Sequence, residues 1–302
     1  MIKRLLARVP GAIESYKIGK NLRYGVRSHL RTTGGIRGGA MDHDAAVAYV
    51  RRIFHKVDEL VSSGGGWTGK RVLECGPGDS LGVGFLALAH GAASYCAIDR
   101  FPVAFDLSSE RRVFASLRDG LTAEERARVD AAIELGDGGY RAKDDRLAYH
   151  NSISLEEAAR RFAGEGFDVI FSNAVLEHVG DLESSLRSMR ELLAPSGVML
   201  HDVDLRSHQR FERHPLQFLE YSPFLWRAMT SNTGEPNRCR LPAYRAILER
   251  LGFEDVRFRV TQRFDASLVE EVRPRLAEPF REVDPKDLEV AIFIVTARAP
   301  AR

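Results

Sequence analysis

The sequence predicts an α/β protein built on a doubly wound, mostly parallel β-sheet. Residues 71–80 (RVLECGPGDS) indicate a short buried strand, a turn with two glycines and the start of an apolar helix that continues to His90. This strand, turn and helix are typical of the opening unit of such a sheet. Residues 94–98 indicate a second buried strand, which ends in an acid, Asp99. Residues 167–172 form another short apolar run that precedes a helical pattern.

Composition limits the class of protein. The chain has 302 residues, of which 44% are hydrophobic and 28% are charged, as in ordinary globular proteins. This length fits one large α/β domain with attachments or two small domains. A formal net charge of +2 does not favour nucleic acid as a partner. The three cysteines have irregular spacing and predict no disulfide framework or metal cluster. With no long apolar run and no signal peptide, we expect a cytoplasmic protein without an integral membrane segment.

The N-terminal part divides into an arm and a helix. Residues 1–40 are basic and end in two glycine pairs, which predicts a solvated, partly helical arm with a flexible joint. Contact of this arm with a membrane surface or a polyanion stays open. From residue 44 to residue 61 the apolar side chains recur every three or four residues, which predicts an amphipathic helix. We therefore expect residues 1–66 to form the arm and a helical cap, and residues 67–302 to form the main domain.

Capping boxes and short apolar runs mark the elements that follow. Thr122 with Glu125 opens a predicted helix that continues to about Leu135, and Ser154 with Glu157 opens another. A further helix is expected at residues 244–251. The remaining strands are predicted at residues 146–150, 167–172, 198–201, 253–260 and 290–295.

Two long connections interrupt this pattern. Residues 206–243 carry six arginines with Tyr221 and Trp226, and residues 261–287 are charged and contain three prolines. Long connections in compact domains are usually lids or binding loops, so we expect residues 206–243 to form a substrate lid. Guanidinium groups bind phosphate or carboxylate, and aromatic faces stack on sugars or flat rings. Solvated surface charge is the alternative interpretation. The arginines to which these interpretations apply are Arg206, Arg210, Arg213, Arg238 and Arg240.

Two motifs give the chain a family resemblance. Glu74, Gly76, Gly78 and Ser80 match the pattern acid-x-Gly-x-Gly-x-(Gly/Ser), and Asp99 ends the next strand. Residues 168–179 then read DVIFSNAVLEHV. Together these stretches resemble class I S-adenosylmethionine-dependent methyltransferases, in the branch that methylates ubiquinone precursors and other small molecules. The resemblance implies a Rossmann-like doubly wound seven-stranded sheet with a C-terminal antiparallel strand, an N-terminal helical cap and S-adenosylmethionine as cofactor.

The resemblance also implies where the cofactor binds. Asp99 is expected at the ribose, the glycine turn near the amino-acid portion, and Asn151 with Ser152 at the adenine edge. Asn173 is expected near the methionine end. The full predicted set is Glu74, Gly76, Pro77, Gly78, Ser80, Asp99, Arg100, Asn151, Ser152 and Asn173.

The predicted reaction is methyl transfer to a hydroxyl of a polar small molecule, such as a sugar, a glycan precursor or a secondary metabolite. A hydroxyl acceptor usually needs a base. His178, His201 and His208 lie at or near the carboxyl edge of the predicted sheet, where such sheets bind ligands. Asp204, like Asp202, can orient a neighbouring imidazole. The residues predicted to bind the acceptor are Arg206, Tyr221, Asn237 and Arg238.

Several alternatives remain open from the sequence. A divalent ion has candidate ligands in His201, Asp202, Asp204 and His208. Their spacing fits no ligand pattern, so we predict no metal. The acceptor atom can be nitrogen or carbon instead of oxygen. The chain can also be a non-catalytic cofactor-binding scaffold, and a homodimer is possible. A dehydrogenase is disfavoured because the closing strand pair takes the place of a separate substrate domain.

Overall fold

The computed structural model describes residues 11–27, 41–101, 103, 106–208 and 214–301. Within these residues, seven strands form one sheet and two form a small hairpin. The strands are β1 (Arg71–Cys75), β2 (Ser94–Asp99), β3 (Ile133–Gly136), β4 (Gly139–Ala142), β5 (Leu147–Asn151), β6 (Phe167–Asn173), β7 (Leu193–Asp204), β8 (Glu254–Arg263) and β9 (Val290–Arg298).

Helices connect these strands and cover both faces of the sheet. They are α1 (Ala12–Arg27), α2 (His43–Ser63), α3 (Gly82–Ala89), α4 (Leu107–Asp119), α5 (Ala123–Ala132), α6 (Leu155–Arg161), α7 (Leu182–Leu192), α8 (Pro223–Thr230), α9 (Leu241–Arg250), α10 (Ala266–Val272), α11 (Glu278–Arg281) and α12 (Pro285–Leu288). Short 3₁₀ turns lie at Leu176–His178, Gln217–Leu219 and Arg273–Arg275.

The large sheet has the strand order β5-β2-β1-β6-β7-β9-β8. Strands β5, β2, β1, β6 and β7 pair in parallel. Strand β9 runs antiparallel between β7 and β8. The predicted fold class is therefore confirmed, including the antiparallel C-terminal strand. All five parallel strands present their carboxyl ends at one edge, which is where an open α/β sheet binds ligands.

The structure corrects one predicted element. The helix expected to reach Leu135 ends at Ala132, and a two-stranded hairpin follows, in which Gly136 pairs with Gly139. The two residues between the strands are Asp137 and Gly138, and Asp-Gly is a strong signal for a two-residue hairpin turn. The capping box at Thr122 and Glu125 predicts where the helix begins but not where it ends, and the Asp-Gly pair supplies the missing information about the end.

Each face of the sheet carries its own apolar core. Helices α2, α3 and α4 cover one face, and α6, α7 and α9 cover the other. An ideal Cβ on Gly84 would lie 2.5 Å from Cδ1 of Tyr95, and one on Gly82 would lie 2.7 Å from Cγ1 of Val50. The glycines of α3 thus allow this helix to pack closely on β2 and on α2. Close packing is the reason why the sequence tolerates glycine inside this helix.

Two cysteines lie on adjacent strands, as predicted. Cys75 ends β1, and Cys96 pairs in register with Leu73 of the same strand. Both are buried free thiols. Burial raises the pKa of both thiols, so neither is activated as a nucleophile.

A third apolar core joins the two long connections. Leu216, Phe218 and Trp226 from the first connection pack with Val269, Val272 and Leu276 from the second. The described part of the N-terminal arm, α1, packs along α8 rather than remaining solvated. Asn21 donates hydrogen bonds to the carbonyl of Ala228 and the hydroxyl of Ser231, each at 2.9 Å. The glycine pairs of the predicted joint lie outside the described residues. Among the described residues, no helix is long and apolar enough to cross a membrane.

Candidate active site

The glycine-rich turn after β1 lies at the carboxyl edge of the sheet, where open α/β sheets form a ligand-binding crevice. Gly76 and Gly78 have φ angles of 71° and 69°, in the left-handed region that favours glycine. An ideal Cβ on Gly76 would lie 2.5 Å from Cγ2 of Val175, in the segment that follows β6. Pro77 lies between the two glycines and is partly exposed. A side chain at position 76 would therefore fill the space that this turn leaves between β1 and β6.

Glu74 lies beneath this turn and is 3% exposed. The hydroxyl of Tyr95 donates a hydrogen bond to its carboxylate. Burial is the main cause that raises the pKa of Glu74 to about 8, and the charges of Asp99 and Glu110 raise it further against the hydrogen bond from Tyr95. A buried carboxyl group with a raised pKa is suited to a neighbouring cationic ligand, whose charge would favour ionisation of the carboxyl group.

Asp99 lies at the end of β2, next to the end of β5. It pairs in register with Asn151, and the Ile153 N–H donates to its carbonyl at 3.0 Å. Burial raises the pKa of Asp99 to about 6, although hydrogen bonds from the backbones of Phe101 and Arg100 oppose this shift. Asn151 and Ser152 are exposed. The structure thus brings together the three residues predicted at the ribose and the adenine edge.

Ser80 and Arg100 make contacts that the sequence did not indicate. The hydroxyl of Ser80 donates to Oε1 of Glu110 at 3.1 Å and accepts from the Gly82 N–H at 3.1 Å. The guanidinium of Arg100 lies 5.6 Å above the ring of Phe101. Ser80 is therefore buried and hydrogen-bonded within the protein, between the start of α3 and Glu110 of α4. Sequence reasoning missed Glu110 because the contact joins residues about one helix and one strand apart.

Helix α2 places two further side chains at the crevice, which the sequence analysis also missed. The ammonium of Lys56 forms an ion pair with Asp202 and lies 3.5 Å from Oδ1 of Asn173. The amide of Asn173 lies 3.5 Å from the hydroxyl of Tyr49. Asp202 thus pairs with Lys56 and does not orient His201, as the sequence had suggested. The helical period predicted the buried face of α2 but not which polar side chain would reach over the sheet edge.

His201 lies inside the protein. It is 0% exposed and its Nδ1 lies 2.7 Å from the hydroxyl of Ser172. Burial lowers its pKa to about 3. A side chain with no exposed surface cannot meet an acceptor in this conformation, so we do not carry His201 into the proposed mechanism.

The other two histidines lie together. The rings of His178 and His208 meet edge to face with their centroids 4.6 Å apart. Nε2 of His208 lies 4.0 Å from a carboxylate oxygen of Glu177 and 4.0 Å from one of Asp204. Burial lowers the pKa of both histidines, to about 4 for His178, while Asp204 raises that of His208 in part. Two neutral imidazoles beside two carboxyl groups can accept a proton.

Glu177, His178 and His208 also have the chemistry of metal ligands. One ligand atom from each lies within 4.8 Å of the others. Glu177 is 1% exposed, and burial raises its pKa well above the usual range. This set differs from the one considered from the sequence, because His201 points into the core and Asp202 is paired with Lys56.

The predicted acceptor-binding residues use most of their polar atoms within the protein. Arg206 forms a two-point ion pair with Asp204, and the hydroxyl of Tyr221 donates to Glu14 of α1 at 3.1 Å. The side-chain amide of Asn237 donates to the carbonyls of Leu176 and Val179.

Arg238 is 8% exposed, and burial lowers its pKa to about 10. It donates to the Tyr221 carbonyl at 2.6 Å and lies between the rings of Trp226 and Phe280. Arg240 is 4% exposed and donates to the Leu205 carbonyl at 2.8 Å. These two arginines hold the long connections in place, and this placement does not favour contact with an acceptor. Arg210 and Arg213 lie outside the described residues.

A family profile described as "Methyltransferase domain" matches residues 41–257, which include the crevice and the helix α2 that covers it. The chain belongs to this methyltransferase family. It is a class I methyltransferase in fold and motif, and S-adenosylmethionine is the cofactor of this class.

Relatives with curated names match a shorter part of the chain. A ubiquinone biosynthesis O-methyltransferase from Cereibacter sphaeroides strain KD131 is 37% identical over 102 residues, which are 30% of this chain and 40% of that protein. The corresponding protein of strain ATCC 17025 is 34% identical over the same length. The match thus spans less than half the length of these curated relatives.

Solved methyltransferase structures resemble the chain at low sequence identity. An S-adenosylmethionine-dependent methyltransferase from Mesorhizobium loti has 19% identity and a TM-score of 0.40, over 76% of this chain and 91% of that one. A phosphoethanolamine N-methyltransferase from Haemonchus contortus, solved with S-adenosylmethionine, has 15% identity and a TM-score of 0.41, over 78% of this chain and 49% of that one.

The residues of the crevice fit this cofactor. Gly76 allows the turn to pack closely against Val175 beside β6, and Asp99 presents a carboxylate where a ribose diol can donate hydrogen bonds. Glu74 can face the positively charged amino or sulfonium group. When bound, the cofactor supplies an activated methyl group. The protein has to hold the acceptor in line with that group and exclude water.

Proposed function

We propose that this protein transfers a methyl group from S-adenosylmethionine to a hydroxyl of a polar small molecule, with His208 as the general base. The observation that carries the proposal is the position of His208, which is 26% exposed beside Asp204 and stacked edge-on against His178. A base needs a group that orients it, which Asp204 provides 4.0 Å from the buried Nε2 of His208, and the His208 side chain as a whole is partly exposed, unlike that of His201.

Each side chain has a defined part in this reaction. Asp204 is held by Arg206, which fixes the carboxylate beside the imidazole of His208. His178 packs against the ring of His208 and limits its rotation. Because burial keeps His208 neutral at pH 7, its ring can take the proton that the hydroxyl loses as the carbon–oxygen bond forms. The name of the Cereibacter relatives, O-methyltransferase, supports oxygen as the acceptor atom.

The acceptor class follows from the lining of the crevice. Lys56, Asn173 and Asp202 line it with polar groups. We therefore favour a sugar, a glycan precursor or a hydroxylated secondary metabolite, with a phenol of the kind methylated in ubiquinone synthesis as a further candidate. An amine acceptor that loses its proton to solvent would need no base at His208.

The test is a comparison of His208→Gln with His201→Gln. Once an acceptor is found by screening release of adenosylhomocysteine, we expect His208→Gln to lower turnover by about 10²–10⁴-fold. His201→Gln should affect stability more than turnover. Cofactor affinity of His208→Gln, measured by calorimetry, should stay within about twofold of the wild type. Full turnover of His208→Gln between pH 6 and 9 would contradict base catalysis.

Two further measurements separate the alternatives. Asp99→Ala removes a charge-assisted hydrogen-bond acceptor, each such bond being worth about 1.5–3 kcal/mol, so cofactor affinity should fall at least tenfold. If turnover instead disappears after dialysis against a chelator and returns with a divalent ion, Glu177, His178 and His208 hold a metal that lowers the pKa of the acceptor hydroxyl.

A further inference from the structure

Glu110 is a buried acid that holds the glycine-rich turn from behind. It lies on α4, is 3% exposed, and accepts a hydrogen bond from the Leu81 N–H at 2.6 Å. Its Oε1 also accepts from the hydroxyl of Ser80 at 3.1 Å. These two contacts fix the chain at the point where the turn becomes α3. Glu110 therefore forms hydrogen bonds with the cofactor-binding turn, although it belongs to α4.

When ionised, Glu110 adds to the negative charge of a group of buried acids around the glycine-rich turn. Four acids, Glu74, Asp79, Asp99 and Glu110, are each at most 9% exposed. Among the described residues, no lysine or arginine forms a salt bridge with Glu74, Asp99 or Glu110. The ammonium of Lys56 is paired with Asp202. Such a crevice attracts a cation, and the attraction is strong where burial excludes water.

The methyl donor and the product differ in charge at one atom. In the transfer, the methyl–sulfur bond breaks, sulfur keeps the electron pair, and a positively charged sulfonium becomes a neutral sulfide. The methyl group forms a bond to the acceptor oxygen, whose proton goes to the base. The amino, carboxylate and adenosine groups are common to donor and product. A negative side chain near the crevice therefore discriminates between the two through the sulfur alone.

We propose that Glu110 is a positioning residue whose negative charge makes the crevice bind the sulfonium donor in preference to the neutral product. Its hydrogen bonds set the shape of the turn for both molecules, whereas its charge favours only the donor. The consequence is weaker inhibition by product. The inference rests on the cofactor and is independent of which acceptor is methylated.

Neighbouring charges set the pH range of this preference. Burial raises the pKa of Glu110 to about 7, opposed by its hydrogen bonds from Leu81 and Ser80 and supported by the charge of Asp79. Tyr140 from the β3–β4 hairpin also faces Glu110, and Glu74 senses both Glu110 and Asp99. Tyr49 of α2 also lies near these acids, since its pKa is raised by burial and by the charges of Glu74, Asp79 and Asp202, and lowered by that of Arg52. Deprotonation of these acids strengthens donor binding, so the preference should increase from pH 6 to pH 8.5.

The experiment compares Glu110→Gln with Glu110→Ala. A glutamine oxygen can still accept both hydrogen bonds but carries no charge, while alanine removes both. Dissociation constants of S-adenosylmethionine and S-adenosylhomocysteine are measured by calorimetry at pH 6, 7 and 8.5 without acceptor. Glu191→Gln, an exposed acid at the end of α7, is the control for a change of net charge. Thermal unfolding shows whether each variant is folded.

At pH 8.5 we expect Glu110→Gln to weaken donor binding by about three- to tenfold at low salt, from one unit charge near the crevice. Product binding should change by less than about twofold, and Glu191→Gln should change neither. Glu110→Ala should weaken both ligands. If Glu110→Gln weakens donor and product equally, or leaves their ratio unchanged at every pH, the charge has no such role. Should Glu110→Gln fail to fold, the pH dependence of the wild type decides: a ratio of product to donor dissociation constants that does not rise between pH 6 and pH 8.5 contradicts the proposal.

Discussion

Individual polar side chains determine what the crevice can do. His201 and His208 are seven positions apart in the sequence, but one lies in the core and the other at the edge of the crevice. The difference arises because His201 belongs to β7, between β6 and β9, whereas His208 follows the end of that strand. Residue type alone made them equal candidates. Position relative to the strand end distinguishes them.

Glycine at position 76 illustrates a residue that is required for two separate reasons. Its φ angle of 71° strains any residue with a Cβ, and that Cβ would also collide with Val175. Gly69 has a φ angle of 74° and no heavy atom within 4 Å of its ideal Cβ. It therefore has the strain without the collision.

Gly76→Ala should abolish measurable cofactor binding, whereas Gly69→Ala should cost about 1 kcal/mol of stability and leave cofactor affinity intact. Calorimetry with adenosylhomocysteine and chemical unfolding of both variants test this prediction. Equal cofactor affinity in the two variants would show that close approach of the turn to the β6 segment is not needed for binding.

At the scale of elements, α1 and α2 both connect to the active-site region from outside the sheet. Helix α2 contributes Lys56 and Tyr49 to the crevice, and α1 contacts α8, which lies on the third core. Asn21 of α1 is 2% exposed, and its Oδ1 accepts from the Asn232 N–H at 2.7 Å. The described part of the arm is thus packed against the predicted lid, residues 206–243.

Asn21→Ala should destabilise this contact by about 1–3 kcal/mol, because it leaves buried backbone groups of α8 and its C-terminal turn without partners. We expect faster amide hydrogen exchange in α8, with the main sheet unaffected. Ser15→Ala, at an exposed position of the same helix, is the matched control. Unchanged exchange in α8 for Asn21→Ala would mean that α1 does not stabilise this region.

At the scale of the whole molecule, the cofactor-binding region contains a buried carboxyl group, Glu74, whose ionisation lowers the stability of the fold. Glu74 is fully enclosed between β1 and β2, with its carboxyl bonded by Tyr95. Burial raises its pKa from 4.5 to about 8. Between these values the unfolded chain has released the proton that the folded protein retains. Stability of the cofactor-free protein therefore falls as the pH rises through this range.

Glu74→Gln should remove this dependence. One unit of pKa shift corresponds to about 1.4 kcal/mol, so the cofactor-free variant should be more stable than the wild type at pH 8.5 by at least about 1 kcal/mol, and by less at pH 5. Urea unfolding at both pH values is the measurement, with Glu191→Gln as the exposed control. A variant that is less stable than the wild type at pH 8.5 would show that the carboxylate is stabilised by a partner. Cofactor affinity of the same variant should fall.

The sequence by itself determined the succession of strands and helices along the cofactor half of the chain and the edge of the sheet where the crevice lies. Short-range patterns sufficed for this. The residues around Glu74, Gly76 and Gly78 specify a strand and a tight turn, and Asp99 marks the end of the next strand. Strand ends of a parallel sheet meet at one edge, so local pattern and general topology together placed these residues side by side. Only the Asp-Gly hairpin after α5 was missed at this level, although its signal was local.

The tertiary structure decided which polar groups meet across long separations in the chain. The pairs Ser80–Glu110, Lys56–Asp202 and Tyr221–Glu14 each join different elements. Periodicity predicts which face of a helix is buried, but not the partner of a long charged side chain. The partner depends on how the helices cross the sheet and on which polar groups are buried away from water. For the same reason Arg238 and Arg240 are buried instead of forming an exposed basic surface, and Arg238 packs on Trp226 and Phe280 of the third core. Burial and the distances between groups are properties of the folded chain, and they set the charge of the crevice and the access of His208 to an acceptor.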